Sequence, residues 1–189
     1  MPFAFGYFLS YLYRTVNAVI APELTADVGL GASALGLLTA AYFITFAAIQ
    51  LPLGMVLDSL GPLRVEVALL FVAAAGAFLF SVGETPWALI LARGLIGIGV
   101  SACLMGALKA MAEWYAAEQL PLMNGLIVAA GGLGAVMATE PTRLIVEAMG
   151  WRSGFEILAA VTVLAALLLL FVAPDRPREG EVDSRSALL

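Results

Sequence analysis

The sequence predicts an all-α membrane protein of six transmembrane helices, arranged as two inverted three-helix repeats, on three observations. Of its 189 residues, 62% are hydrophobic and only 12% charged, with a mean hydropathy of +1.02, against about 45–50% apolar and about 25% charged in soluble domains. Six windows are mostly apolar and run to about 20 residues, the length a helix needs to cross the hydrocarbon. The second window, shifted by 89 residues, falls on the fifth with matching punctuation.

The windows cover residues 3–22, 34–57, 65–83, 87–110, 121–141 and 153–173. The first has no basic leader and holds Arg14 near its centre, so it reads as a retained span rather than a cleaved signal peptide. The second carries Tyr42, Phe46 and Gln50 at four-residue steps, which puts them on one helix face. The third is closed by the boundary stretch 81–86. The fourth holds Arg93 and pairs small residues at four-residue spacing, Gly97 with Ser101 and Gly99 with Cys103, which lets another backbone come close. Lys109 ends this window about 24 Å beyond Arg93, and there it snorkels to the interface. The fifth closes at Glu140-Pro141, and the sixth follows Gly150-Trp151-Arg152. The connections 22–33, 58–64, 81–86, 112–120 and 141–152 carry turn residues and read as loops. Residues 1–174 are thus expected to form one bundle. Residues 175–189, DRPREGEVDSRSALL, have the composition of a charged, disordered tail.

Several chemistries are excluded. Histidine is absent, which removes the usual zinc ligand and general base. The single cysteine, Cys103, forms no intramolecular disulfide and reads as a small packing residue. Ser10, Ser81 and Ser101 lie in no GxSxG elbow. An enzyme is therefore not expected, nor a cofactor or metal. The net charge of −5 and the lack of a basic stripe argue against nucleic acid.

The repeat carries more. With the 89-residue shift, Gly36 meets Gly125, Leu37 meets Leu126, Pro52 meets Pro141, Asp58 meets Glu147 and Gly61 meets Gly150. An odd number of helices per repeat makes the copies enter the membrane from opposite sides, the plan of secondary transporters that bind solute near the midplane.

Arg14 answers to that plan. At about 100° per residue, Tyr7, Tyr11, Arg14 and Ala18 share a stripe of the first helix, flanked by Ser10 and Asn17. An arginine at mid-membrane costs about 2.5–3.5 kcal/mol on insertion scales, so such residues face a bundle interior or a watery cavity. Two readings stand side by side: an anion ligand, or an ion pair with a carboxylate on a neighbouring helix. Arg93 offers a second guanidinium, and each can grip a carboxylate or phosphate with two parallel hydrogen bonds. The candidate substrate-binding set is Arg14, Tyr11, Asn17, Tyr7, Tyr42, Gln50 and Arg93. For a proton-coupled cycle the titratable candidates are Glu140, Glu156 or a carboxylate partner of Arg93, and the coupling ion stays open.

The stretch Gly54-Met55-Val56-Leu57-Asp58-Ser59-Leu60-Gly61-Pro62-Leu63-Arg64 resembles the signature loop of the major facilitator superfamily, Gly-x-Leu-x-Asp-Arg-x-Gly-x-x-Arg/Lys. Arg93-Gly94-Leu95-Ile96-Gly97 is similar to that family's fourth-helix motif, and Gly150-Trp151-Arg152 to its lead into helix six. Ser59 stands where the family usually has arginine, which alters the loop's charge network. Tyr13-Arg14-Thr15-Val16-Asn17, Ala21-Pro22, Trp114-Tyr115-Ala116-Ala117-Glu118 and Asn124-Gly125 resemble the organic anion:cation symporter branch, with Gln119 in place of an arginine. The resemblance implies that the chain is one six-helix bundle of a two-bundle transporter working by alternating access. It implies that Arg14 holds a substrate carboxylate, and that Gly54, Asp58, Gly61 and Arg64 form a gating loop. It also implies that the second bundle is a homodimer mate or a separate chain, and that both termini face the cytoplasm of a plasma (bacterial inner) membrane. Arg64, Arg176, Arg178 and Arg185, set against Arg143 and Arg152, agree with that orientation. The alternative is a truncated or accessory relative without transport of its own.

Overall fold

The structure is a computed structural model that describes residues 2–173. The expected tail 175–189, with Arg176, Arg178 and Arg185, lies outside the described residues. Every described element is a helix: α1 Pro2–Val19, α2 Ala21–Val28, α3 Ala32–Leu60, α4 Pro62–Val82, α5 Pro86–Gly99, α6 Cys103–Trp114, a short 3-10 turn Ala117–Gln119, α7 Leu120–Met137, α8 Glu140–Met149 and α9 Trp151–Val172. Proline at the first or second position opens α2, α4, α5, α7 and α8, where its missing N–H is no loss. Thr85 caps α5 by accepting from the Ala88 N–H at 3.2 Å.

Five segments are long and apolar enough to cross a membrane: Ala32–Leu60, Pro62–Val82, Pro86–Trp114, Ala117–Met137 and Trp151–Val172. With α1, whose stripe carries Tyr7, Tyr11 and Arg14 beside Asn17, they make the six expected rods. Two connections read as loops hold helices, α2 in 22–33 and α8 in 141–152. The fourth rod is broken: α5 stops at Gly99 and α6 starts at Cys103. Gln50 donates to the Ser101 carbonyl at 3.0 Å, meeting a backbone acceptor that the break frees.

The 89-residue shift carries α3 onto α7 plus α8, and α4 onto α9. Gly61 and Gly150 then coincide in conformation as well, with φ/ψ of 82°/155° and 83°/157°. This positive φ is reached at little cost only without a Cβ. Packing follows the same exchange: α3 lies on α5, α7 lies on α1, and α4 pairs with α9. The core runs through α1, α4, α5, α6 and α9, and most of α3 and α7 faces outward.

Candidate functional site

Arg14 projects from the second half of α1 against α3. Its guanidinium lies over the rings of Tyr11, Phe46 and Phe43 at 4.9, 5.4 and 5.8 Å. Its Nε is buried with no hydrogen-bond partner. Among the described residues it forms no ion pair with a carboxylate, so the ion-pair reading of Arg14 has no partner there. The Tyr42 side chain stands within hydrogen-bonding reach of this guanidinium, and Nε is the donor left without an acceptor among the described residues.

The neighbouring candidates fall into place around it. Tyr7 and Tyr11 meet edge to face at 5.1 Å. Both press on Gly131 of α7, where a Cβ would lie 2.6 Å from Tyr7 Cε1. Tyr42 stacks on Phe46 at 6.2 Å, points its hydroxyl at the Ser10 carbonyl at 3.5 Å, and stands within electrostatic reach of both arginines. Asn17, one turn from Arg14, donates to Thr39 Oγ1 at 2.9 Å, and its own Oδ1 has no partner.

Arg93 sits deeper. It is 1% exposed, donates from Nη1 to the Tyr13 carbonyl at 3.1 Å, and faces the rings of Tyr42 and Phe80 at 5.1 and 6.0 Å. Tyr42, itself completely buried, is thus shared by the two guanidinium groups, with Arg93 the deeper of the two. Gln50 is two turns further along α3 and is occupied at the α5–α6 break. The structure therefore brings Tyr7, Tyr11, Arg14 and Tyr42 together, sets Arg93 behind them, places Asn17 one turn away, and leaves Gln50 apart.

Of the residues expected to gate, Gly54 lies exposed in α3 and Asp58, near the end of that helix, pairs with Lys109 at 2.5 Å, while Lys109 also reaches Glu113 at 3.6 Å. Lys109 is thus tied to the end of α3 rather than simply snorkelling. Gly61 is the hinge into α4, and Arg64 lies exposed in that helix's first turn. Of the coupling candidates, Glu156 is exposed near the start of α9. Glu140 opens α8 instead of ending the fifth span, and Arg143 holds it at 2.5 Å while also pairing with Glu147. That hydrogen bond keeps the Glu140 carboxyl below its ordinary range and raises Arg143.

Three features escaped the sequence reading. Glu66 of α4 is completely buried, a lone acid in the run PLRVEVALL. Tyr13 bonds Thr162 of α9 at 2.8 Å. At the opposite end of the bundle, Arg152 donates to the Ser81 and Gly83 carbonyls at 3.0 and 2.8 Å and pairs with Asp27 at 3.3 Å. Trp151 donates to the same Asp27 at 3.2 Å. The only advance signal for Glu66 was the one used for Arg14, a charge inside an apolar run.

A family profile described as Major Facilitator Superfamily matches residues 3–188. The chain is 29% identical to the probable sulfoacetate transporter SauU of Cupriavidus necator, over 90% of this chain and 40% of that protein. It is also 29% identical to the galacturonate transporter of Dickeya chrysanthemi, over 97% of this chain and 54% of the other. The crystal structure of a bacterial homologue of the human lysosomal transporter Spinster, inward-facing and occupied, superposes with a TM-score of 0.83 at 21% identity, over 94% of this chain and 44% of that one. The chain spans about half the length of the relatives it matches, or somewhat less.

Proposed function

Since the chain belongs to the major facilitator superfamily, whose members are membrane transporters and not enzymes, we propose that it takes part in carrying a small organic anion across the membrane by alternating access. The observation that carries this reading is Arg14, a guanidinium in the second half of α1 with aromatic faces around it and, among the described residues, no carboxylate paired to it. A charge left in that state is stable when a water-filled cavity or an anion faces it. Sulfoacetate and galacturonate, named for two relatives, are both organic acid anions, which agrees with such a ligand.

In this reading Arg14 grips the anion in a two-bond fork, and Tyr7, Tyr11, Tyr42 and Asn17 orient its other oxygens. Arg93 adds positive potential through Tyr42, and Gln50 joins only if the α5–α6 break opens. Gly54, Asp58, Gly61 and Arg64 form the gating loop, with the Asp58–Lys109 pair as its latch. A second six-helix bundle, from another copy or a separate chain, closes the path; native mass in lipid distinguishes a pair of 19.7 kDa chains from a single one. Anion uptake coupled to a cation, across a bacterial inner membrane with both termini cytoplasmic, completes the proposal.

The test is calorimetric titration of sulfoacetate and galacturonate into the purified chain in lipid nanodiscs. Arg14→Gln is expected to weaken binding about tenfold to a hundredfold, the worth of charge-assisted hydrogen bonds, with unchanged helicity. Equal affinity in the variant and the parent overturns the assignment of Arg14.

A further inference from the structure

Glu66 is 0% exposed, and among the described residues neither carboxyl oxygen has a hydrogen-bond partner. It lies four residues into α4, about 6 Å from that helix's start, and two backbones clasp it. A Cβ added to Gly6 of α1 would overlap Oε1, and one added to Gly106 of α6 would lie 2.8 Å from Oε2. Both positions are glycine, so the space a side chain would fill is taken by the carboxyl group.

Among the described residues, the groups facing it supply no positive charge. From α6 the titratable neighbour is the Cys103 thiol, itself buried. From α1 it meets Gly6, with Tyr7 the next titratable group along that helix. Lys109, one turn beyond Gly106, is turned to Asp58 and Glu113. Arg93, the other buried charge among the described residues, is engaged with Tyr13, Tyr42 and Phe80. Nor does the clasp suit a metal ion: among the described residues no group of three or more metal-binding side chains occurs, and the glycine backbones fill the remaining space. An ionised carboxylate without donor or cation is far costlier in such a place than the neutral acid.

We infer that Glu66 is a proton-binding site of the bundle, neutral while α1, α4 and α6 are packed as here and opened to water when α1 parts from α6. The route out is short. Asp58 and Lys109 mark the aqueous end about one turn away, and buried Phe3, meeting Trp114 edge to face at 5.3 Å, closes it on that side. The movement that rocks α1 would therefore also expose Glu66, which makes the proton the cation whose binding follows the helix packing. This site stands independently of the anion reading, because it can be observed with no solute present.

The experiment is infrared spectroscopy of the purified chain in lipid nanodiscs across a pH series. At neutral pH the unmodified protein is expected to show the carbonyl band of a protonated carboxylic acid, slow to shift in heavy water, and lost on raising the pH. Glu66→Gln, nearly the same shape, should abolish that band. No acid band at neutral pH in the unmodified protein overturns the inference whether or not the variant folds, and so does a band that persists in Glu66→Gln. Gly6→Ala pushes α1 off the carboxyl and is expected to lower the pH at which the band disappears; an unchanged midpoint overturns the link to helix separation.

Discussion

Arg14 and Glu66 are the same kind of signal, a charge in an apolar run, yet only Arg14 was legible. Its position at the centre of a window, with tyrosines and an asparagine on its stripe, made it conspicuous. Glu66 stands one turn inside its helix, where a carboxylate usually reaches water, and only the arrival of Gly6 and Gly106 from other helices seals it. The same holds for Tyr13. Thr162 Oγ1 donates to the Leu158 carbonyl at 2.7 Å, so it must accept from the Tyr13 hydroxyl, 2.8 Å away. Tyr13→Phe leaves that acceptor unpaired in the core. The expected cost is about 1 kcal/mol, read as a lowered thermal midpoint in detergent with little change in anion binding.

At the scale of helices, small residues decide the spacing. Gly97 of α5 rests on the Tyr42 carbonyl of α3, with Thr45 Oγ1 2.5 Å from where its Cβ would be. Thr45 adds a hydrogen bond to the Gly94 carbonyl at 2.9 Å. Gly97→Ala must part α3 from α5, and overpacking of this kind costs about 1–3 kcal/mol; a thermal melt checks it. Because Tyr42 carries both the contact and the link between the arginines, the variant should also weaken anion binding. The sequence marked these glycines as packing residues but could not name the facing helix. It also ran α5 into α6, since the break at Val100–Ala102 has no proline and is made good by Gln50 from another rod. On α8 the Glu140–Arg143–Glu147 triad is exposed, and such pairs are screened by salt. Glu140 is held below its ordinary range, so its small contribution is present at neutral pH and fades on acidification. Arg143→Ala should leave the thermal midpoint nearly unmoved at neutral pH and high salt.

For the molecule as a whole, the class and the six rods were legible because hydropathy and length are local properties of a membrane chain. The internal symmetry was legible at its punctuation, Asp58 with Glu147 and Gly61 with Gly150, and it extends to which helices pair. It was not legible in α1 against α5–α6, where Arg14 and Arg93 stand at a different offset. If Gly61 and Gly150 are equivalent joints, as their φ of 82° and 83° indicate, then Gly61→Ala and Gly150→Ala should destabilise alike. Each is expected to cost about 1–3 kcal/mol for a side chain forced to a positive φ with extended ψ, a region essentially reserved for glycine, compared by melting the two variants side by side. A difference much larger than that figure would mean that the two joints bear unequal loads.

The Tyr13–Thr162 bond also sets a schedule for synthesis. Its partners are 149 residues apart, and at about 5–20 residues per second a ribosome needs about 7 to 30 s to make the distance. Through that interval α1 is already at the membrane with its arginine, while the helix that anchors Tyr13 has yet to be translated. The span least able to stay in lipid by itself is thus delivered well before the helix that anchors it, so the insertion machinery has to shelter α1 until α9 emerges.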